Sequence, residues 1–421
     1  MVQLDEYIIT ILGSTGGVAK SVLSILNYSA ADKNDPIHQV IVNSKLYLID
    51  INQKTMDYYH QLFPNLKNKI IAVQFNLNDL DQFTEHLRST STKLVIDVSW
   101  ADTIEMVECC NKLGVHYINS ALENTAVDLD ESLYGFPLTE RYTRFEKKKE
   151  AFTNTRAIIG SGMNPGVVQW MAIKLLKDHT SDPPQACYIF EHDSSFYKDE
   201  NLVDPKTIYT TWSVECFLDE AILSYPMFVR NQIPLYMYDH VYATEFKITL
   251  RDREFYGCLM PHEEVLSLGK LFDFELGFIY RVNEHTTELI RNNLDDVDDL
   301  WNWKQTLIDP AEGEVEGEDL VGVLLVYEDK EIYMYNTMKS EDIFEKYNTS
   351  ATYFQVACGI YAGTASLLLD TIPLGAYYVD ELLMKTESNY GKYLAYYMQD
   401  FVFGENNSSD GLLHQRIKRI K

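Results

Sequence analysis

A chain of 421 residues is too long for one compact core and predicts two or three domains. Its 36 basic and 63 acidic residues leave a net charge of −27, which argues against a polyanionic partner such as nucleic acid and fits a small organic cation. An N-terminus without a basic segment or A-x-A-like site, no run of about 18 apolar residues, and six scattered cysteines without C-x-x-C or metal-ligand spacing predict a cytoplasmic chain with no signal peptide, membrane span or metal.

Along the first 125 residues, short β-rich runs alternate with helical segments. Tyr7–Leu12 reads as a strand, 19–28 as a helix and 45–51 as a second strand. Further strands are expected at 70–75, 94–98 and 116–120, with helices around 52–62, 80–88 and 104–113. Apolar strands separated by helices predict a doubly wound, Rossmann-type parallel sheet covered on both faces. Residues 157–160 look like one more strand, and 164–176 like a helix opening at Asn164-Pro165-Gly166, where Asn suits an N-cap and Pro the first turn. The β-type runs 186–191, 244–250, 321–327 and 331–336 predict a second, α+β domain with a mixed sheet. The acidic stretch 295–319 reads as a solvated loop, 353–369 as an apolar helix packing back on the first domain, and the basic tail 414–421 as a solvated end. The expected division is a nucleotide-binding domain over 1–160, completed by C-terminal helices within 351–421, and a substrate and dimerisation domain over 161–350.

The turn Gly13-Ser14-Thr15-Gly16-Gly17-Val18-Ala19 follows the first strand and opens a helix. Glycines there permit a tight turn and close backbone approach to a pyrophosphate, which a helix N-terminus attracts. Asp50 ends the second strand, where a carboxylate accepts from ribose hydroxyls and repels a 2′-phosphate. Only Lys54 is basic in the next few residues, so NAD is expected over NADP. Asp97 and Asn164 are further candidates at the cofactor. The rival is an α/β domain with no cofactor.

The segment Thr211–Glu220 is suited to an organic cation. At 100° per residue Trp212, Glu215, Cys216 and Asp219 share about a third of a helix circumference, with Glu220 at its edge. An indole face attracts an ammonium and the acids neutralise it. The same pattern also fits an amphipathic helix that packs its Trp inward and solvates its acids. His262, beside Glu263 and Glu264, is a candidate base or proton relay. Glu191 and Glu123 each end an apolar strand, where α/β enzymes place active groups.

Five places together resemble bacterial homospermidine synthase, within the saccharopine dehydrogenase-like group. They are the turn at 13–19, Tyr-Ile-Asn-Ser-Ala-Leu-Glu at 117–123, Gly-Ser-Gly-Met-Asn-Pro-Gly at 160–166, Thr-Trp-Ser-Val at 211–214 and Pro-His-Glu-Glu-Val-Leu-Ser at 261–267. The sequence departs from the family pattern at Asn124 and Thr210. The resemblance implies a homodimer that uses bound NAD catalytically to form homospermidine from putrescine with release of ammonia. It implies catalytic roles for Trp212, Glu220, His262 and Glu191 and substrate contacts from Glu123 and Asn164, while the helical arc adds Glu215 and Asp219 as substrate-binding candidates. Two alternatives stay open: a non-catalytic NAD-binding homologue, or an NAD(P)H-consuming reductase of the saccharopine or carboxynorspermidine type. The reductase would need an arginine for a substrate carboxylate, with Arg156, Arg230, Arg251, Arg253 and Arg281 as candidates.

Overall fold

Apolar runs with no polar alternation must be covered on both faces, and the first third of the chain is arranged in that way. A computed structural model describes residues 6–180 and 183–419. The strands Tyr7–Leu12 (β1), Ser44–Asp50 (β2), Ile70–Gln74 (β3), Leu94–Asp97 (β4), His116–Asn119 (β5) and Arg156–Ile159 (β6) are joined by Gly375–Tyr378. Among the described residues these form a seven-stranded parallel sheet, ordered Gly375–Tyr378, β6, β5, β4, β1, β2, β3. The order reverses at β1, so a crevice opens at the carboxyl ends of β1 and β4, where such sheets bind ligands. Hence the doubly wound α/β reading holds.

The second domain is built on a mixed sheet, ten-stranded among the described residues. At its centre Ala186–Asp193 (β7) runs parallel to Glu275–Arg281 (β8) and antiparallel to Glu318–Val326 (β9). The sheet curls far enough for Asn406, near one edge, to donate to the Thr249 carbonyl and accept from the Arg251 amide near the other. One hydrophobic core runs from Ile9 and Leu46 of the nucleotide sheet through the helices Val167–Asp178 (α2) and Ala351–Leu369 (α5) to Ile189, Phe278 and Val323 of the second sheet. The two sheets therefore share a core, and their facing ends are held in register.

Helix α5 has 19 residues and is long and apolar enough, by length and composition, to cross a membrane, but 78% of its apolar window is buried within the protein. It comes close to the loop after β6 because it is glycine-bearing there: a Cβ at Gly359 would lie 1.9 Å from the Gly162 carbonyl oxygen. Helix α2 starts at Val167, three residues later than expected. Gly166, at φ 129°, is its N-cap, a conformation that breaks any helical continuation back to Asn164 and frees that side chain for another partner.

The acidic stretch 295–319 is ordered instead of looped. It contains a 3-10 segment at Leu294–Asn302, the strand Lys304–Leu307 paired with Thr207–Thr210, and the start of β9 with Asp319 wholly buried. Charge density hid this from the sequence, because the pairing partner lies about a hundred residues away.

The tail is corrected in the same sense. Ile417–Arg419 adds a strand to Thr244–Leu250, and Arg416 is fully buried in an ion pair with Glu331. Its guanidinium also stands 5.3 Å from the Tyr188 ring centre, and Leu413 joins the apolar cluster of Tyr188, Phe190 and Phe246. Positions 420 and 421 lie outside the described residues. Removing one member of a buried ion pair leaves an uncompensated charge. Arg416→Met is expected to cost about 3–5 kcal/mol in chemical denaturation, most of it regained in the Arg416→Met/Glu331→Leu double variant.

Candidate active site

At the dinucleotide end, β1 runs into a turn that only glycine can make at its first position. Gly13 has φ +70°, and a Cβ there would lie 2.6 Å from the Val98 carbonyl oxygen. Gly17 begins the helix Gly17–Ala31 (α1) and is covered by Tyr353 of α5, whose ring would be 2.2 Å from an added Cβ. Gly16 is extended, and its nearest neighbour would be 3.4 Å from a Cβ, so the backbone is open on that side. The first-turn amides of α1 have no intrahelical acceptors and carry the positive end of the helix dipole. These residues fit the pyrophosphate of a dinucleotide.

Asp50 holds the turn as well as facing the crevice: it accepts from the Thr15 amide at 3.0 Å, the Thr15 hydroxyl at 2.9 Å and the Asn52 amide at 3.0 Å. Asp97 is placed differently from its expected role at the cofactor. It is buried, and its oxygens accept from Ser99 and from the Tyr117 hydroxyl at 2.8 Å, so it supports the loop after β4 from beneath.

The acidic end forms where the loops after β5 and β6 meet β7 and β8. Asn164 donates its side-chain amide to Glu191. Glu191 is buried on β7 in register with Tyr280 of β8. Burial, joined by the charges of Asp193, Glu220 and Glu264, pushes its carboxyl up to about 8 against the Asn164 hydrogen bond. Trp212 is half-buried and donates its indole N–H to the Tyr280 hydroxyl at 3.0 Å. An aromatic wall runs on from there: Trp212 to Tyr280 at 6.4 Å between ring centres, Tyr280 to Phe278 at 5.8 Å and Phe278 to His262 at 4.4 Å. That wall joins the indole to the histidine through two intervening rings.

His262 is the N-cap of the helix Glu263–Leu271 (α4). Its Nδ1 contacts Glu264, and its Nε2 is 3.8 Å from Glu220. Burial lowers its pKa, but Glu264, Glu220 and Glu263 outweigh that and raise it to about 9. Glu220 is pushed up to about 8, chiefly by burial, and one of its oxygens has no partner among the described residues. Glu263 accepts from the Leu122 amide at 2.7 Å and is raised by burial to about 7. Glu123 is half-buried and raised to about 8 by burial, with Arg141 opposing.

The arc drawn around Thr211–Glu220 divides in the folded chain. The helix is Val214–Ala221 (α3), capped by Ser213, so Trp212 precedes it. Glu220 turns into the pocket, whereas Glu215 is exposed and paired with the Ser213 hydroxyl. Asp219 is 3.0 Å from Arg141, which also binds Asp128 at 2.7 Å, so a guanidinium already neutralises it.

Sequence reasoning did not single out Asp193, Asp319, Arg141, or Glu263 and Glu264 as site groups in their own right. Asp193 was within reach, since it lies two residues beyond Glu191 and therefore on the same strand face. Asp319 and Arg141 carried no local signal. Three buried or nearly buried carboxylates, Glu220, Glu263 and Glu264, thus stand around His262, and three more, Glu191, Asp193 and Asp319, lie together on the neighbouring strands, with Arg141 close to Glu123 and Glu263.

None of the five arginines considered for a substrate carboxylate reaches this cluster. Arg156 binds the Ile372 carbonyl and His116, Arg253 pairs with Glu318, and Arg281 pairs with Glu245 and Glu284. Arg230 lies 3.8 Å from Glu275, and Arg251 is exposed on a turn.

A carboxyl whose folded pKa exceeds its unfolded one costs stability as pH rises between the two values. Glu220→Gln is therefore expected to raise stability by about 1–3 kcal/mol near pH 8 and to leave it almost unchanged near pH 4, read from thermal unfolding at both.

Residues 9–151 match the family model described as the saccharopine dehydrogenase NADP binding domain. The whole chain superposes on saccharopine dehydrogenase (L-Glu forming) from Saccharomyces cerevisiae with a TM-score of 0.57 and 10% identity, covering 95% of this chain and 99% of that one. A myo-inositol dehydrogenase from Corynebacterium glutamicum superposes with a TM-score of 0.39 and 7% identity over 86% of this chain and 87% of that one. No curated protein sequence matches the chain. The chain therefore has the fold of saccharopine dehydrogenase, and its first domain is a nucleotide-binding domain of the saccharopine dehydrogenase type.

Proposed function

We propose that this protein is an NAD-dependent enzyme acting on a diamine, by aminoalkyl transfer of the homospermidine synthase kind. The observation that carries the reading is the excess of buried carboxylates over cations at the pocket. Desolvated acids destabilise one another, and a dicationic ligand relieves that repulsion. An oxo-acid would add negative charge to the same place. Asp50 at the ribose position favours NAD over NADP.

A dinucleotide held by the Gly13–Gly17 turn and Asp50 would supply a reversible hydride acceptor for the amine-bearing carbon. The protein's own groups handle charge and protons around that exchange. An amine must be neutral to release hydride, and Glu191, raised to about 8, is matched to take its proton near neutral pH. Asn164 orients that carboxylate through its amide. Glu220 and Glu263 hold the far ammonium beside the charge-neutral His262–Glu264 pair, and the Trp212 face stabilises positive charge on the reacting nitrogen. Ammonia leaves when a second amine attacks the first imine.

The second reading is a reductase that joins an amine to an oxo-acid or aldehyde. The saccharopine dehydrogenase-type first domain favours it, with Arg141 as the nearest guanidinium. Incubation with putrescine and a catalytic amount of NAD separates the two. Homospermidine and ammonia without net change in NADH absorbance support the transferase, and net NADH oxidation with an amine and an oxo-acid supports the reductase. Trp212→Ala is expected to lower kcat about 30-fold or more, with Trp212→Phe in between and dinucleotide affinity unchanged. Unaltered turnover in Trp212→Ala would remove the cation-binding role.

A further inference from the structure

Beneath Trp212, Asp193 on β7 lies in register with Asp319 on β9. Both side chains are fully buried, and neither is paired with a cation among the described residues. The Thr211 hydroxyl contacts Asp193 and lies 2.9 Å from the Thr352 hydroxyl, which lies 2.7 Å from Asp319. The remaining oxygen of Asp193 accepts from the Ser195 amide at 3.0 Å, while the remaining oxygen of Asp319 has no partner among the described residues. Among the described residues, Glu191 on β7 and Tyr280 on β8 are the titratable groups on the pair's face, Glu318 lies next to Asp319 on the other face of β9 and is paired with Arg253, and α5 presents the uncharged Thr352 and Gln355.

Hydrogen counting decides what this row contains. Three oxygen-to-oxygen contacts need three hydrogens, and each threonine hydroxyl supplies one. The third must sit on a carboxyl. With it on Asp193, that O–H donates to Thr211, Thr211 to Thr352 and Thr352 to Asp319; with it on Asp319, every bond reverses. We infer that Asp193, Thr211, Thr352 and Asp319 form a proton-holding chain that keeps one proton and one negative charge beneath the pocket, seating Trp212 through Thr211 and setting the charge that Glu191 experiences. The effect on Glu191 rests on the reading of Glu191 as the proton acceptor; the proton-holding chain itself does not. These are positioning residues, since they act on Glu191 through charge and on the indole through Thr211, and not on the substrate directly.

The Asp193→Asn/Asp319→Asn variant keeps the shapes and removes the charge and the extra proton. The slope of unfolding free energy against pH between about pH 5 and 8 counts protons taken up on folding. Wild type is expected to take up about one more proton than the variant, and equal slopes would overturn the chain. Should the variant not fold, the infrared spectrum of wild type decides. A protonated-carboxyl band persisting above about pH 9, where glutamates raised to about 8 have ionised, supports the chain, and its absence refutes it. With a diamine and NAD, the acid limb of kcat/KM should move down by about one pH unit in the variant, because Glu191 loses a neighbouring charge. An unmoved limb refutes the link to Glu191. If wild type turns over no diamine, the proposed function falls while the slope still judges the chain.

Discussion

Carboxylates taken out of water without cations are the constraint around which the rest of this protein is arranged. A buried acid either keeps its proton, accepts several hydrogen bonds or finds a positive partner. All three solutions occur within one pocket. Glu191 and Glu220 are raised by burial, Glu263 at the start of α4 accepts from the Leu122 amide, and Glu264 pairs with His262. Asp219 shows the contrasting outcome: Arg141 neutralises it, and it no longer belongs to the pocket. The acids that remain unneutralised are those lining the aromatic wall from Trp212 to His262. The proposed diamine would complete that balance.

Such a pocket needs a rigid frame, because separated acids would simply relax into solvent. The frame is the core shared between the two sheets. Helix α5 touches the glycine-rich turn through Tyr353, the loop after β6 through Gly359 and the second sheet through Thr352 and Gln355. One helix therefore fixes the distance between the nucleotide crevice and the acidic end. The curled second sheet is closed from its other side by the chain's own tail, through the Arg416–Glu331 ion pair and Leu413. Several of the acids counted in the formal −27 lie inside the site, where burial favours their neutral form.

The first domain could be read from the sequence because its signals are local. Apolar runs at a fixed spacing, a glycine turn between strand and helix, and Asp50 at a strand end each depend on neighbours within a few residues. The individual site residues Trp212, Glu191, Glu220 and His262 were visible for the same reason, as unusual residue types at strand ends or helix starts. Their grouping was not. The helical arc placed Glu215, Asp219 and Glu220 together, yet the fold sends one to solvent, one to Arg141 and one to His262. Trp212 precedes the helix that Ser213 caps, so the angular count did not apply to it, and the partners that separate the three acids come from distant parts of the chain.

Sequence alone determined the doubly wound nucleotide domain, the mixed second sheet, the acidity and several residues of the candidate site. Tertiary structure decided which acids meet. Asp193 and Asp319 are 126 positions apart, and only the pairing of β7 with β9 puts them opposite each other. The tail illustrates the same division: its basic composition suggested a solvated end, whereas a partner on a distant strand drew Arg416 inside. Periodicity and turn chemistry act over a few residues, while burial and charge pairing depend on contacts that exist only after the chain has closed on itself.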